Sequence, residues 1–276
     1  MTTALKIAFI GGGNMAAALI AGLAGKLTDG SNIHVVDPHA PALEKLQAQF
    51  GVSTASSAGT ALRAVDVIVL AVKPQSMKEV TAQLLPFIDV EKQPLLLSIA
   101  AGIRATDLSR WLGDYPAIVR CMPNTPALIG MGITGLVASS GVTATQKAQA
   151  DAILQAVGST VWLDDEAQID PVTAVSGSGP AYVFYFIEAL QQAASELGLT
   201  AQQGTQLAIA TFTGAAQLAA QSTEAVSLLR ERVTSKGGTT YAALTSMEDS
   251  GVKAAIVKAV KAAAQRGREM GDELGK

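Results

Sequence analysis

The sequence predicts an α/β fold, a doubly wound parallel sheet over residues 1–163 followed by an all-helical domain over residues 164–276. Three observations predict it. Apolar runs of strand length alternate with helix-like segments as far as Leu163, the first of these runs feeds directly into glycines, and strand signals stop after Asp164. No repeat recurs at a period of roughly 20–50 residues. No low-complexity linker separates the two parts, so the second is expected to dock tightly.

The first element is the stretch Lys6-Ile7-Ala8-Phe9-Ile10-Gly11-Gly12-Gly13-Asn14-Met15-Ala16, which reads as strand, tight turn and helix. Gly11, Gly13 and Ala16 fit the G-x-G-x-x-G/A spacing of a Rossmann-like dinucleotide turn. Gly11 permits the turn, Gly13 lets a pyrophosphate approach the backbone, and Ala16 lets the helix pack close to the strand. Free N–H groups and the dipole at the helix start then favour phosphate. The alternative is a glycine-rich turn with no ligand. Residues 33–37 read as the second strand and residues 41–50 as a helix. Residues 65–72 are apolar except for Asp66, as a strand covered on both faces requires. A helix over 77–85, strands over 95–99 and 117–122, and a further candidate strand over 135–139 follow, with right-handed crossovers. In the second part, residues 180–197, 200–221, 224–233, 239–246 and 252–270 read as helices. Thr200 with Gln203 makes a capping-box pattern, and Gly198 follows a helix end.

Composition narrows the function. Hydrophobic residues make up 49% of the chain and charged residues 16%, the excess being largely alanine, so closely packed helices and a substantial subunit interface are expected. No stretch of about 18 uninterrupted apolar residues exists, so no membrane span is expected. A net charge of −3 offers no basic footprint for nucleic acid. A strand begins too early to leave room for a signal peptide, and the single Cys121 has no internal partner. A cytoplasmic setting is therefore expected.

Ligands of open α/β sheets collect outside the carboxyl ends of the strands. Asp37, after the second strand, can accept from an adenosine ribose 2′-OH, which favours NADH. No arginine stands beside it for a 2′-phosphate, and His39 is a weak substitute; the other reading is a turn before Pro38. Lys73, in Ala71-Val72-Lys73-Pro74, belongs to the cofactor rim or to a solvated loop. Ile99, Ala100 and Ala101 leave room for a flat nicotinamide against the backbone. Pro123 and Pro126 stiffen a loop that presents Asn124 and Thr125. Cys121 has no evident base nearby and reads as buried packing. Two glycines precede Pro180 in Ser176-Gly177-Ser178-Gly179-Pro180-Ala181-Tyr182, so a ligand or a second helix approaches that backbone. In Arg232-Val233-Thr234-Ser235-Lys236-Gly237-Gly238-Thr239-Thr240 a glycine turn opens a helix whose N–H groups can hold a carboxylate, or it is a cap without a ligand. Both histidines, His34 and His39, lie on the second strand and its end, so a histidine base, a Ser-His-Asp set and a metal cluster are not expected. A hydride acceptor that needs little help from a titrating side chain, such as a cyclic imine, fits this inventory.

These stretches, together with Ala71-Val72-Lys73-Pro74-Gln75, Ser98-Ile99-Ala100-Ala101-Gly102, Met122-Pro123-Asn124-Thr125-Pro126 and Ala174-Val175 before Ser176, closely resemble the Δ1-pyrroline-5-carboxylate reductase family, in family order from residue 9 to about 248. The resemblance implies reduction of 1-pyrroline-5-carboxylate to L-proline by NAD(P)H, the last step of proline biosynthesis. NADPH is the expected cofactor by family habit and NADH the alternative. It implies that Ile10, Gly11, Gly12, Gly13, Asn14, Met15, Ala71, Val72, Lys73 and Pro74 bind the cofactor's phosphates and linker, and that Ile99, Ala100 and Ala101 border the nicotinamide. Asp37 and Asn124 complete the expected cofactor set. By the same resemblance, Glu166, Ser176, Arg232, Ser235, Gly238, Thr239 and Thr240 are expected to hold the substrate. Thr240 is the expected catalytic contact, to the ring nitrogen, and the amides of residues 238–240 are expected to take the carboxylate. A homodimer through the helical domain is implied, with larger rings of dimers as an option. Hydride is expected to pass in a crevice between the domains. Three positions depart from the family pattern: Lys236 stands where many relatives have proline, Ala58 where many have asparagine, and Asp37 where a small or polar residue is common. A β-hydroxyacid dehydrogenase would need a lysine on the long helix over 180–197, which has none. A non-catalytic dinucleotide sensor would have no use for the Gly-Gly-Thr-Thr turn.

Overall fold

The structure, a computed structural model, describes residues 4–276. Eight strands form one sheet, in the order β3-β2-β1-β4-β5-β6-β7-β8. In chain order the first elements are β1 (Ile7–Ile10), α1 (Asn14–Leu23), β2 (Ile33–Val36), α2 (Ala40–Phe50), β3 (Ser53–Ala55), β4 (Val67–Leu70) and α3 (Met77–Leu84). They continue with β5 (Leu95–Ser98), α4 (Ala105–Trp111), β6 (Ile118–Met122), β7 (Gly132–Ala138), α5 (Ala144–Gln155), β8 (Gly158–Trp162) and α6 (Ile169–Val172).

Every residue of β1, β4 and β5 is buried. The alternation along β1 explains this. Ile7 and Phe9 join a core with Leu19, Ile20 and Leu154, whereas Ala8 and Ile10 join the opposite core with Ile68, Leu108 and Ile118. Both faces are covered, so the central strands can be apolar throughout.

The sheet departs from the all-parallel expectation at one place. β7 pairs with β6 antiparallel, Cys121 opposite Leu136. The connection holds only the 3₁₀ turn Thr125–Ile129, too short for a crossover helix, so the chain reverses instead. β8 then returns parallel to β7 after α5. The edge strands β3 and β8 and the helices α4 and α5 go beyond the elements expected from the sequence. The candidate strand over 135–139 begins earlier, at Gly132.

The chain divides into two compact units. The first holds residues 4–178 and Ala263–Lys276. It reaches past Leu163 because Ile169 and Ala174 are buried in it. The second is Gly179–Ala262, built from α7 (Gly179–Glu196), α8 (Ala201–Gln221), α9 (Val226–Arg232), α10 (Thr239–Asp249) and the start of α11 (Val252–Leu274), whose last turns belong to the first unit. In the second unit Gln191 donates to Thr205 Oγ1 at 2.9 Å, and the rings of Phe186 and Phe212 lie 6.4 Å apart. The capping box of Thr200 and Gln203 opens α8, and Gly198 takes φ +92° before it. Among the described residues no helix is long and apolar enough to cross a membrane.

Candidate active site

The site begins at the turn after β1. Gly11 takes φ +103°, and a Cβ there would lie 2.6 Å from the Ala71 carbonyl oxygen, so only glycine fits between β1 and β4. Gly12 is buried, and its N–H donates to Asp37 Oδ2 at 2.6 Å. Gly13 is exposed, caps α1, and would meet nothing within 4 Å if it carried a Cβ. The α1 N-terminus therefore presents unpartnered N–H groups of its first turn, with no acidic side chain there, next to open backbone. Ala16 is buried against the core, as a third small position should be. These features suit a pyrophosphate and place Ile10, Gly11, Gly12, Gly13, Asn14 and Met15 along one edge.

The Asp37 carboxylate is held by backbone on both oxygens. Oδ2 accepts from Gly12, and Oδ1 accepts from the N–H of His39 at 2.8 Å. The acid thus ties the end of β2 to the glycine turn, and both the ribose role and the turn role expected for it draw on the same two oxygens. His39 is exposed. His34, on β2, pairs its Nδ1 with Ser53 Oγ at 2.9 Å, and burial lowers its pKa from the ordinary value.

The next strand ends bring further backbone to this side. Ala71 donates to Ile10 O, and Lys73 precedes the 3₁₀ turn Pro74–Ser76 with its side chain exposed. After β5, Ala100 is buried while Ile99 and Ala101 are partly accessible.

Asn124 does not simply point outward, as its loop suggested. Its Oδ1 accepts from Ile133 N at 2.9 Å, and its Nδ2 donates to Ser176 O at 3.2 Å. The amide clamps the β6–β7 connection to the π-helical turn Thr173–Gly177, which carries Ser176. Ser176 Oγ in turn donates to Val172 O at 3.0 Å. Gly177 packs on Met122, whose Cε would be 2.6 Å from a Cβ there. Cys121 is buried, and burial raises its thiol far above the ordinary value, so it is a packing residue without thiolate character.

Glu166 lies in the first unit. Its Oε1 accepts from Ala105 N at 2.7 Å and from Arg120 Nη1 at 3.1 Å. Arg120 is only 4% exposed, with Asp170 4.0 Å away and its Nε without a partner among the described residues. Sequence reasoning passed over Arg120 as a site residue. A lone charge inside the apolar strand Ile118–Met122 was the available signal, since arginine is seldom buried unless paired.

The second half of the predicted site lies in the other unit. Gly237 takes φ +74°, and Gly238 caps α10. A Cβ on Gly238 would come 2.7 Å from Ser235 Oγ, which keeps this turn tight. Gly238 N donates to Ser235 O at 3.0 Å and Ala242 N to Gly238 O at 3.1 Å, so the amides left open by the helix start are those of Thr239, Thr240 and Tyr241, not Gly238. Arg232 pairs with Glu224 at 2.5 Å on an exposed face. The structure thus groups Ser235, Gly238, Thr239 and Thr240 in one turn, and groups Glu166 and Ser176 with the sheet.

Residues 166–270 match the family model described as pyrroline-5-carboxylate reductase dimerisation, and residues 6–102 match one described as NADP oxidoreductase, coenzyme F420-dependent. A pyrroline-5-carboxylate reductase of Pseudomonas aeruginosa is 47% identical, covering 98% of each chain. The solved pyrroline-5-carboxylate reductase of Coxiella burnetii superposes with a TM-score of 0.91 at 39% identity, over 97% of this chain and 99% of that one. That of Plasmodium falciparum, solved with NADP bound, gives 0.85 at 31% identity, over 97% and 98%. By full-length identity and by both halves of its architecture, the chain belongs to the pyrroline-5-carboxylate reductase family.

Proposed function

We propose that this protein reduces the C=N bond of 1-pyrroline-5-carboxylate to L-proline, using a reduced nicotinamide dinucleotide. The observation that carries this reading is one chain of this family holding both the open turn at Gly13 and the glycine-capped start of α10. When bound, the dinucleotide supplies a hydride equivalent. The first turn of α1 receives its pyrophosphate, and residues 99–101 border its nicotinamide. Asn124 acts by holding its loop in place.

The N–H groups of Thr239 and Thr240 bind the substrate carboxylate, aided by the N-terminal dipole of α10. The Thr240 hydroxyl hydrogen-bonds the ring nitrogen and orients the imine carbon. Orientation does most of the catalytic work here, since fixing two reactants removes an entropic barrier that a free encounter would meet. The product gains one hydride at carbon and one proton at nitrogen. NADPH is the expected donor and NADH the alternative, with Asp37 opposing a 2′-phosphate. A homodimer through the helical unit, with rings of dimers as its larger form, completes the reading. A reducing cytoplasm suits the lone buried cysteine.

The purified protein should oxidise NADPH or NADH when pyrroline-5-carboxylate is added, and no turnover with either would overturn the assignment. Thr240→Ala should lower kcat on the order of 10²-fold while Thr240→Ser keeps most of it. Equal rates for both variants would remove the role given to the hydroxyl.

A further inference from the structure

The last turns of α11 carry Gly267 and Gly271, and Gly275 follows directly after the helix with its N–H donating to Gly271 O at 3.0 Å. Spacing of four puts Gly267 and Gly271 on one face of the helix. Each meets a polar side chain of the sheet unit. A Cβ on Gly267 would lie 3.4 Å from Asp170 Oδ1, and one on Gly271 would lie 3.1 Å from Arg104 Nη2. One on Gly275 would run into the Asp107 carboxylate. The same helix end presses on the turn after β5. Gly102 takes φ +74°, and a Cβ there would be 3.1 Å from Met270 Cβ. Leu274 packs on the core that contains Ala100, Ile103 and Leu108. Arg104 pairs with Asp272 at 2.5 Å, Arg110 donates to Gly275 O, and Lys78 donates to Lys276 O at 2.8 Å. Glu166 holds Ala105 N, at the start of α4. Residues 102–105, which follow residues 99–101 in the chain, are therefore held by the helix end and by Glu166.

We propose that this glycine seam positions the nicotinamide-side turn, so that Gly271 and the Arg104–Asp272 pair are positioning residues for hydride transfer. The proposal rests on the reading above that residues 99–101 border the nicotinamide. A larger side chain at 271 starts from a Cβ only 3.1 Å from Arg104 Nη2, so it must push the guanidinium aside and disturb its pairing with Asp272. The pair is partly exposed, with side chains 42% and 70% accessible, so its worth as a fold stabiliser is small. Its effect is on geometry, to which hydride transfer is sensitive at the scale of about 1 Å.

The test compares wild type, Gly271→Leu and Ala101→Leu. Calorimetric titration with ADP-ribose, which lacks nicotinamide, counts intact dinucleotide sites, and kcat is expressed per such site. Gly271→Leu should bind ADP-ribose within about twofold of wild type and lose about tenfold in kcat per site, with a larger isotope effect from nicotinamide deuterated at the transferred position. A folding defect would instead lower the number of ADP-ribose sites and leave kcat per site unchanged. Wild-type kcat per site in Gly271→Leu overturns the seam. Ala101→Leu separates the two readings: normal kcat there shows that residues 99–101 do not border the nicotinamide, and the proposal falls with that placement. If Gly271→Leu yields no ADP-ribose sites, Asp272→Asn, which adds no bulk, decides. It should lose about threefold in kcat per site, and a wild-type value overturns the proposal.

Discussion

At the scale of single residues, Asp37 carries the sharpest contradiction between local chemistry and family habit. Its carboxylate accepts from Gly12 N and His39 N, so both oxygens already bond backbone, one of them in the glycine turn. The cofactor reading proposed above sets this carboxylate at the adenosine end. A unit charge beside a phosphate at a protein surface is worth about 1–4 kcal/mol. Asp37→Ser should therefore raise the ratio of kcat/KM for NADPH over NADH by at least about fivefold. Because serine cannot replace both accepted bonds, it should also cost about 1–2 kcal/mol of stability, measured by urea unfolding. An unchanged cofactor ratio with lowered stability would mean that Asp37 acts only as a structural acceptor. The acid at the end of β2 was legible in the sequence, because strand ends of this fold face the ligand. Its partner Gly12, 25 positions away, was not, since no local pattern says which amide a carboxylate will find. Asn124 shows the same limit. Two prolines announced a stiff loop, but the bonds to Ile133 and Ser176 depend on the antiparallel return of β7.

At the scale of elements, packing decides what the local pattern leaves open. Gly22, in α1, sits against the end of α5, where a Cβ would come 2.5 Å from Ala156 O. Backbone cannot swing aside as a side chain can. Gly22→Ala should thus destabilise the protein by about 1–3 kcal/mol, read as a lower urea midpoint, even though alanine is the better helix former. A midpoint at or above the wild-type value would show that α1 can shift without cost. The β2–β3 pair makes a second, pH-dependent prediction. Burial lowers the pKa of His34 below 6.5, so the unfolded chain binds the extra proton first as pH falls. The stability His34 contributes should be full above pH 6.5 and decline below it, levelling off once pH passes beneath its folded pKa. His34→Gln should flatten that part of the profile of Tm against pH, and an unaltered slope would assign the dependence to other groups. Among the elements legible in the sequence, β1 and β4 are uninterrupted apolar runs and β5 is apolar up to Ser98, which reflects cover on both faces, whereas β6 was legible in spite of Arg120. β3 is three residues long, with Ser53 exposed, and β8 is mostly polar or exposed at the sheet edge, so neither carries that signature. α5 mixes alanine and glutamine with only Ala150, Ile153 and Leu154 buried, which leaves a faint stripe to read.

At the scale of the whole molecule, the two units differ in how they satisfy their apolar surface. The sheet unit closes two cores on itself. The helical unit leaves Phe184 at 60%, Tyr185 at 72%, Leu218 at 60% and Val226 at 68% exposure, far more apolar area than an isolated domain keeps in water. Alanine-rich helices suggested such an interface from composition alone, but which side chains meet the partner depends on the helix packing and could not be read. The family model matched over residues 166–270, described as pyrroline-5-carboxylate reductase dimerisation, supports a homo-oligomer. Two consequences follow from mass action. Light scattering should give a mass of at least two chains, and Tm should rise with protein concentration, because association stabilises only the folded state. Phe184→Asp combined with Leu218→Asp should place two charges on that surface, yield a single-chain mass and remove the concentration dependence of Tm. ADP-ribose binding should persist in this variant, because the glycine turn and its Asp37 tie lie wholly within the sheet unit. An assembly that survives both charges would place the interface on other residues, and loss of ADP-ribose binding would show that the sheet unit needs the assembled helices to fold.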